Sequence, residues 1–142
     1  MIPISLEALS QHLSAHRVGD DVTIQALSSD SRKIGPATLF VALKGERFDG
    51  HDFAATAIEN GAVALLVERE LAFDVPQLIV ADCQKAMGAI GAYVRDQVDP
   101  ICVALTGSNG KTSVKEMIAT ILSAKHQVLY TAGNFNNEIG VP

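Results

Sequence analysis

"ICVALTGSNGKTSVKEMIATILSAKHQVLYTA", residues 101–132, is the stretch that decides the fold. Ile101 to Leu105 form a short, continuous apolar run of the kind found in strands buried on both faces. A glycine-rich loop interrupts it, from Thr106 to Thr112. Beyond the loop, Val114, Met117, Ile118, Ile121 and Leu122 recur at i, i+3, i+4, i+7 and i+8, which is the apolar stripe of an amphipathic helix. A second strand-like run, "QVLYTA", follows from Gln127. Strand, loop, helix and strand make a βαβ unit, which crosses over right-handed into a parallel sheet. Parallel sheets need helices on both faces, so residues 99–142 are expected to be only the start of a larger α/β layer.

Working back from this unit, Pro100 disfavours a helical Asp99 and so ends the helix expected from Asp82, whose apolar face holds Ala86, Ile90, Tyr93, Val94 and Val98. A domain boundary is expected there, giving domains 1–98 and 99–142. Within the first, Leu6, Leu9 and Leu13 follow a capping Ser5 and indicate a short helix. Val22, Ile24 and Ala26 alternate as a strand, and Leu39 to Leu43 form another. Phe53, Ala54, Ala57 and Ile58 make a helical stripe that Gly61 can cap in the left-handed conformation. "AVALLVE" (62–68) and "PQLIVA" (76–81) read as further strands. The fold class is therefore α/β: a small N-terminal α/β domain, then the first strand-loop-helix-strand of a second one.

Composition excludes several functions. The 142 residues are 48% hydrophobic with a formal charge of −5, and no Lys/Arg run is long enough for a nucleic-acid patch. No apolar stretch approaches the ~18 residues of a membrane span, and the first residues lack the basic and apolar regions of a signal peptide. A cytoplasmic protein without membrane insertion is expected. Cys83 and Cys102 have neither metal-ligand nor redox-motif spacing, and both are expected to pack as small apolar residues. His12, His16, His51 and His126 form no pattern with a nucleophile.

The chemistry concentrates in "TGSNGKT". The common phosphate loop, G-x-x-x-x-G-K-[ST], would place its first glycine at position 105, where this chain has Leu105. Gly107 and Gly110 instead give a shorter G-x-x-G-K-T. The setting is still that of a nucleotide loop, because the free N–H groups and positive dipole end of the following helix favour a phosphate. Gly107, Ser108, Asn109, Gly110, Lys111, Thr112 and Ser113 are the candidate ATP-binding residues. Lys111 would reach the β/γ-phosphates and the Thr112 hydroxyl would ligate Mg²⁺, and these two are the candidate catalytic residues. The competing reading is a glycine-rich turn with a solvated lysine.

Three motifs in order, "DSRKIGPATLFVALKGERFDGHDFA", "ALTGSNGKTSVKEM" and "YTAGNFNNEIGVP", closely resemble the Mur ligase family of cell-wall enzymes over essentially all 142 residues. The resemblance implies a three-domain, ATP-dependent, amide-forming ligase of peptidoglycan synthesis. In it, an N-terminal domain holds the UDP-sugar, a central domain binds ATP through a short TGxxGK[ST] loop, and a third domain is Rossmann-like. It also implies the reaction: ATP phosphorylates the terminal carboxylate of a UDP-N-acetylmuramoyl-tripeptide, and the amine of D-alanyl-D-alanine attacks the acyl phosphate. Carried over by position, Ser29, Asp30, Ser31 and Arg32 would line the uridine-diphosphate pocket, with Lys44, Gly45, Phe48, Asp49, Gly50 and His51 on the facing loop. Without the resemblance these read as a polar turn and a surface loop. Asn136 and Asn137 would approach the γ-phosphate and the acceptor carboxylate, although asparagines of this kind also suit a loop bonded to itself.

On this reading the chain is a fragment, inactive alone, of a monomeric enzyme whose later metal ligands, carbamylated lysine and third domain lie beyond residue 142. Two alternatives remain open at this point: a non-catalytic UDP-sugar-binding module, and an unrelated small kinase or NTPase using the loop alone.

Overall fold

The computed structural model describes residues 1–131. Its centre is a five-stranded sheet in the order β2-β7-β6-β5-β4. The strands are β2 (His16–Val18), β4 (Ala26–Ser28), β5 (Thr38–Val41), β6 (Ala64–Val67) and β7 (Gln77–Ile79). β4, β5, β6 and β7 run parallel, and β2 joins the edge antiparallel to β7. A separate antiparallel pair, β1 (Ile4–Ser5) with β3 (Thr23–Ile24), closes one end.

Alternation along the central strands builds two cores, one on each face. Leu39 and Val41 of β5, Ala64 and Leu66 of β6, and Leu78 of β7 face α1 (Leu6–Leu13) and α3 (Cys83–Val98), and pack with Leu6, Leu9, Cys83, Met87 and Ile90. Phe40, Leu65 and Val67 face the other way, onto Ala54 and Ala57 of α2 (Ala54–Glu59). All four residues of β5 and all four of β6 are buried. This explains why these segments read as unbroken apolar runs: a sheet covered on both sides has no polar face to alternate with. Each such Leu, Ile or Val contributes on the order of 1.5–3 kcal/mol relative to exposure.

The helix ends follow local chemistry. Ser5 Oγ accepts from Ala8 N at 3.1 Å, and Asp82 accepts from Lys85 N at 2.9 Å, each satisfying a free first-turn donor. Gly61 takes φ +103 just after α2. At the far end of α3, Asp99 is left-handed at φ 47 and its N–H returns to Arg95 O at 2.8 Å.

Three expectations need correction. The alternation at 22–26 is not one strand: the chain breaks at Gln25, β3 goes to the small sheet and β4 to the large one. The second concerns the runs at 101–105 and 127–131. The helix between them forms, as α4 (Lys111–Ser123), but neither run is a strand. A strand is defined by its ladder, and among the described residues nothing pairs with either run, so Ile101 stays 96% and Leu129 100% exposed. They still lean on the helix, where Val103, Leu105, Val128 and Tyr130 border a cleft of about 100 Å³ with Ile118, Ala119 and Leu122. Third, Cys83 is buried as expected but Cys102, in the unpaired run, is exposed. Among the described residues no helix is long and apolar enough to cross a membrane.

Candidate functional site

Because β4 to β7 are parallel, the loops that leave their C-terminal ends emerge along one edge of the sheet. In open α/β sheets this is the edge where ligands bind. Both N-terminal groups of candidate residues lie on it: 29–32 directly after β4, and 44–51 after the neighbouring β5.

The first loop is a tight turn. Ser28 Oγ accepts from Asp30 N at 3.2 Å and donates to Asp30 O at 3.0 Å. Arg32 then grips the Asp30 carboxylate with two side-chain bonds, Nε and Nη2, each 2.9 Å long, and adds its backbone N–H at 3.1 Å. This grip holds the Asp30 carboxyl down at about 2. Ser31 is buried, and its carbonyl accepts from Asn60 Nδ2 at 2.8 Å, which ties the loop to the end of α2. Ser29 is exposed.

The second loop is a small hairpin. Lys44 and Asp49 pair across it, Gly45 N donates to Phe48 O at 2.9 Å, and Gly50 N donates to Leu43 O at 2.9 Å. Lys44 and Phe48 point into solvent, Phe48 being 60% exposed. His51 does not. Its ring is fully enclosed in a single 3₁₀ turn, Gly50–Phe53, with both nitrogens occupied. Nε2 accepts from Glu68 N at 2.9 Å, so the ring proton sits on Nδ1, 2.5 Å from Asp49 Oδ1. Asp49 Oδ1 also accepts from His51 N at 3.0 Å, and its Oδ2 accepts from Arg69 Nη1 at 3.1 Å. These donors, His51's backbone N–H first, keep the Asp49 carboxyl well below the usual carboxylate range. Of the residues expected at the pocket, His51 is thus placed to brace the loop from within, whereas Lys44 and Phe48 stand exposed on it.

Glu68, Arg69 and Asn60 were not singled out from sequence. For Arg69 there was a usable signal, since the residues directly after a buried parallel strand arrive at the binding edge.

The glycine loop precedes α4. Gly107 and Gly110 have φ +148 and +78, values that glycine alone adopts readily. Gly110 stands at the N-cap with no side-chain hydrogen bond, so the first-turn donors of α4 have no capping side chain. Lys111 folds back and donates its ammonium to the Gly107 carbonyl, closing the loop as a ring. Ser108, Asn109, Thr112 and Ser113 are exposed around it. Among the described residues no three His, Cys, Asp or Glu side chains gather as a metal site. Asn136 and Asn137 lie outside the described residues.

The sequence model of the Mur ligase family catalytic domain matches residues 23–126, from β3 through the end of α4. The chain belongs to the Mur ligase family. Within that family it is 57% identical over all 142 residues to the UDP-N-acetylmuramoyl-tripeptide–D-alanyl-D-alanine ligase of Escherichia coli strain K12, covering 31% of that enzyme. The crystal structure of MurF from Acinetobacter baumannii superposes with a TM-score of 0.89 at 40% identity, over 98% of this chain and 32% of the other. MurF ligase from Thermotoga maritima, solved in complex with ADP, gives 0.66 at 33% identity, over 82% of this chain and 27% of the other. The chain therefore spans about a third of the length of the Mur ligases it matches.

Proposed function

We propose that this chain supplies the UDP-sugar-binding end and the phosphate loop of an ATP-dependent ligase that joins D-alanyl-D-alanine to UDP-N-acetylmuramoyl-tripeptide in peptidoglycan synthesis. The 57% identity to the Escherichia coli ligase over every residue, edge loops and glycine loop included, carries this reading.

Residues 1–98 hold the UDP-N-acetylmuramoyl end of the substrate at the carboxyl edge, and 99–142 begin the ATP-binding domain. At the edge, Ser29, Asp30, Ser31, Arg32, Lys44, Gly45, Phe48, Asp49 and Gly50 surround the nucleotide, braced by His51. At the glycine loop, the first-turn N–H groups of α4 and the Lys111 ammonium receive the β- and γ-phosphates of ATP. Asn136 and Asn137 are assigned to the acceptor side of the γ-phosphate.

The reaction then needs little covalent help from the protein. The tripeptide carboxylate takes the γ-phosphoryl group, ADP leaves, the amine of D-alanyl-D-alanine attacks the acyl phosphate, and phosphate departs as the amide forms. Positioning and charge neutralisation do most of this work, which suits a backbone cradle with one lysine. For Mg²⁺ the residues fit in one respect: the exposed Thr112 hydroxyl on the first turn of α4 is a hard oxygen ligand, with phosphate oxygens and water to complete the shell. Bound there, the ion would neutralise phosphate charge.

The test is phosphate release by the full-length protein from ATP, with UDP-N-acetylmuramoyl-tripeptide and with or without D-alanyl-D-alanine. The expected outcome is release that requires both acceptors and yields the amide by mass. ATP turnover indifferent to both would point to an unrelated NTPase. UDP-sugar binding without any turnover would point to a binding module.

A further inference from the structure

The carboxyl edge carries an arginine that none of the three sequence motifs contains. Arg69 follows β6 by two residues, and β6 lies next to β5, whose loop holds Lys44 to His51. Its side chain is 55% exposed, yet it is anchored, since Nη1 donates to Asp49 Oδ2 at 3.1 Å. Asp49 is itself fixed, because its other oxygen is held by His51 N and by the ring, and that ring is locked to Glu68 N at the end of β6. An exposed arginine normally samples many rotamers, and ordering it on binding is costly. Here the ordering is done beforehand.

Arg32 differs. It spends Nε and Nη2 on Asp30, so the fork that would match a phosphate is already filled by a carboxylate. Arg69 gives only Nη1 to Asp49, and its Nε and Nη2 have no partner among the described residues. Lys44 pairs through its backbone across the hairpin from Asp49, and its side chain is exposed beside this edge.

We infer that Arg69 is a further anion-binding residue of this edge, presented by Asp49 and His51 to the diphosphate of a UDP-linked ligand. The inference rests on the UDP-sugar reading above.

It is tested by titrating the full-length protein calorimetrically with UDP and with uridine, alongside its Arg69→Gln and Arg69→Lys variants. Wild type is expected to bind UDP more tightly than uridine, because only UDP carries the anion. Arg69→Gln should lose about 10- to 100-fold of UDP affinity, the range for a charge-assisted hydrogen bond, with uridine affinity and melting temperature unchanged. Arg69→Lys, which keeps the charge and loses the fork, should fall between the two. UDP affinity unchanged in Arg69→Gln, while wild type still prefers UDP to uridine, would overturn the role of Arg69 and leave the UDP-sugar reading standing. Wild type binding neither UDP nor uridine would remove both.

Discussion

His51 Nε2 accepts the backbone N–H of Glu68 at 2.9 Å, joining the loop after β5 to the end of β6 through a fully enclosed ring. Removing the ring strands that N–H and leaves Asp49 without its ring partner. A buried donor left unpaired costs about 1–3 kcal/mol, and the lost packing adds to it. His51→Ala is therefore expected to lower unfolding stability by about 2–4 kcal/mol, read from the urea midpoint. A change below about 0.5 kcal/mol would mean the ring braces nothing.

The acidic pH dependence has a defined sign. Asp30 is lowered from 3.8 to about 2, first by the side-chain bonds from Arg32. A group whose folded value is depressed contributes stability that is fully present above its unfolded value and is lost as pH falls through the folded one. The stability gap between wild type and Asp30→Asn should thus be constant from pH 7 to 5 and shrink between about pH 4 and 2. Urea melts of both proteins across this range check it, and a gap as wide at pH 2 as at pH 7 would contradict the ion pair.

How far the sequence speaks for the structure depends on where the forces are local. Ser5 and Asp82 are legible as caps because each bonds a backbone N–H three residues away. β5 and β6 are legible because burial on both faces leaves apolar residues at every position but Thr38. His16 to Val18 gives no such signal: it becomes β2 because the edge of β7 is available, and Val18 there pairs with Gln77, 59 residues further along the chain. The same dependence works in reverse at Ile101 to Leu105, where the pattern of a strand is present and no partner lies among the described residues. At the candidate site, glycines and charges mark the loops, but the enclosure of His51 and the anchoring of Arg69 arise from contacts 17 and 20 residues apart.

The two cysteines should separate chemically. Cys83 is buried, its Sγ donates to Leu66 O at 3.4 Å, and burial pushes its thiol up to about 12. Thiolate is the reactive form, so Cys83 should be inert at pH 8 while the exposed Cys102 reacts. A thiol reagent applied to the native 142-residue chain is expected to modify Cys102 quickly and Cys83 only after denaturant is added. Rapid modification of both, mapped by peptide mass, would show that the core around Leu66 opens.

Lys111 closes the glycine loop on itself through the Gly107 carbonyl, and the same ammonium is the group proposed to meet the β/γ-phosphates. Lys111→Ala removes both roles at once, opening the loop and deleting the only cation within it. In the full-length protein, loss of such a preorganised charge should cut phosphate release by about 10²- to 10³-fold or more. UDP-substrate affinity should stay within about twofold, because that ligand is assigned to an edge built from residues before α3, with no hydrogen bond to the loop among the described residues. Calorimetry separates the two effects. Lost UDP-substrate affinity, with release impaired only in proportion, would mean that Lys111 serves the sugar nucleotide and that the glycine loop is not the ATP site.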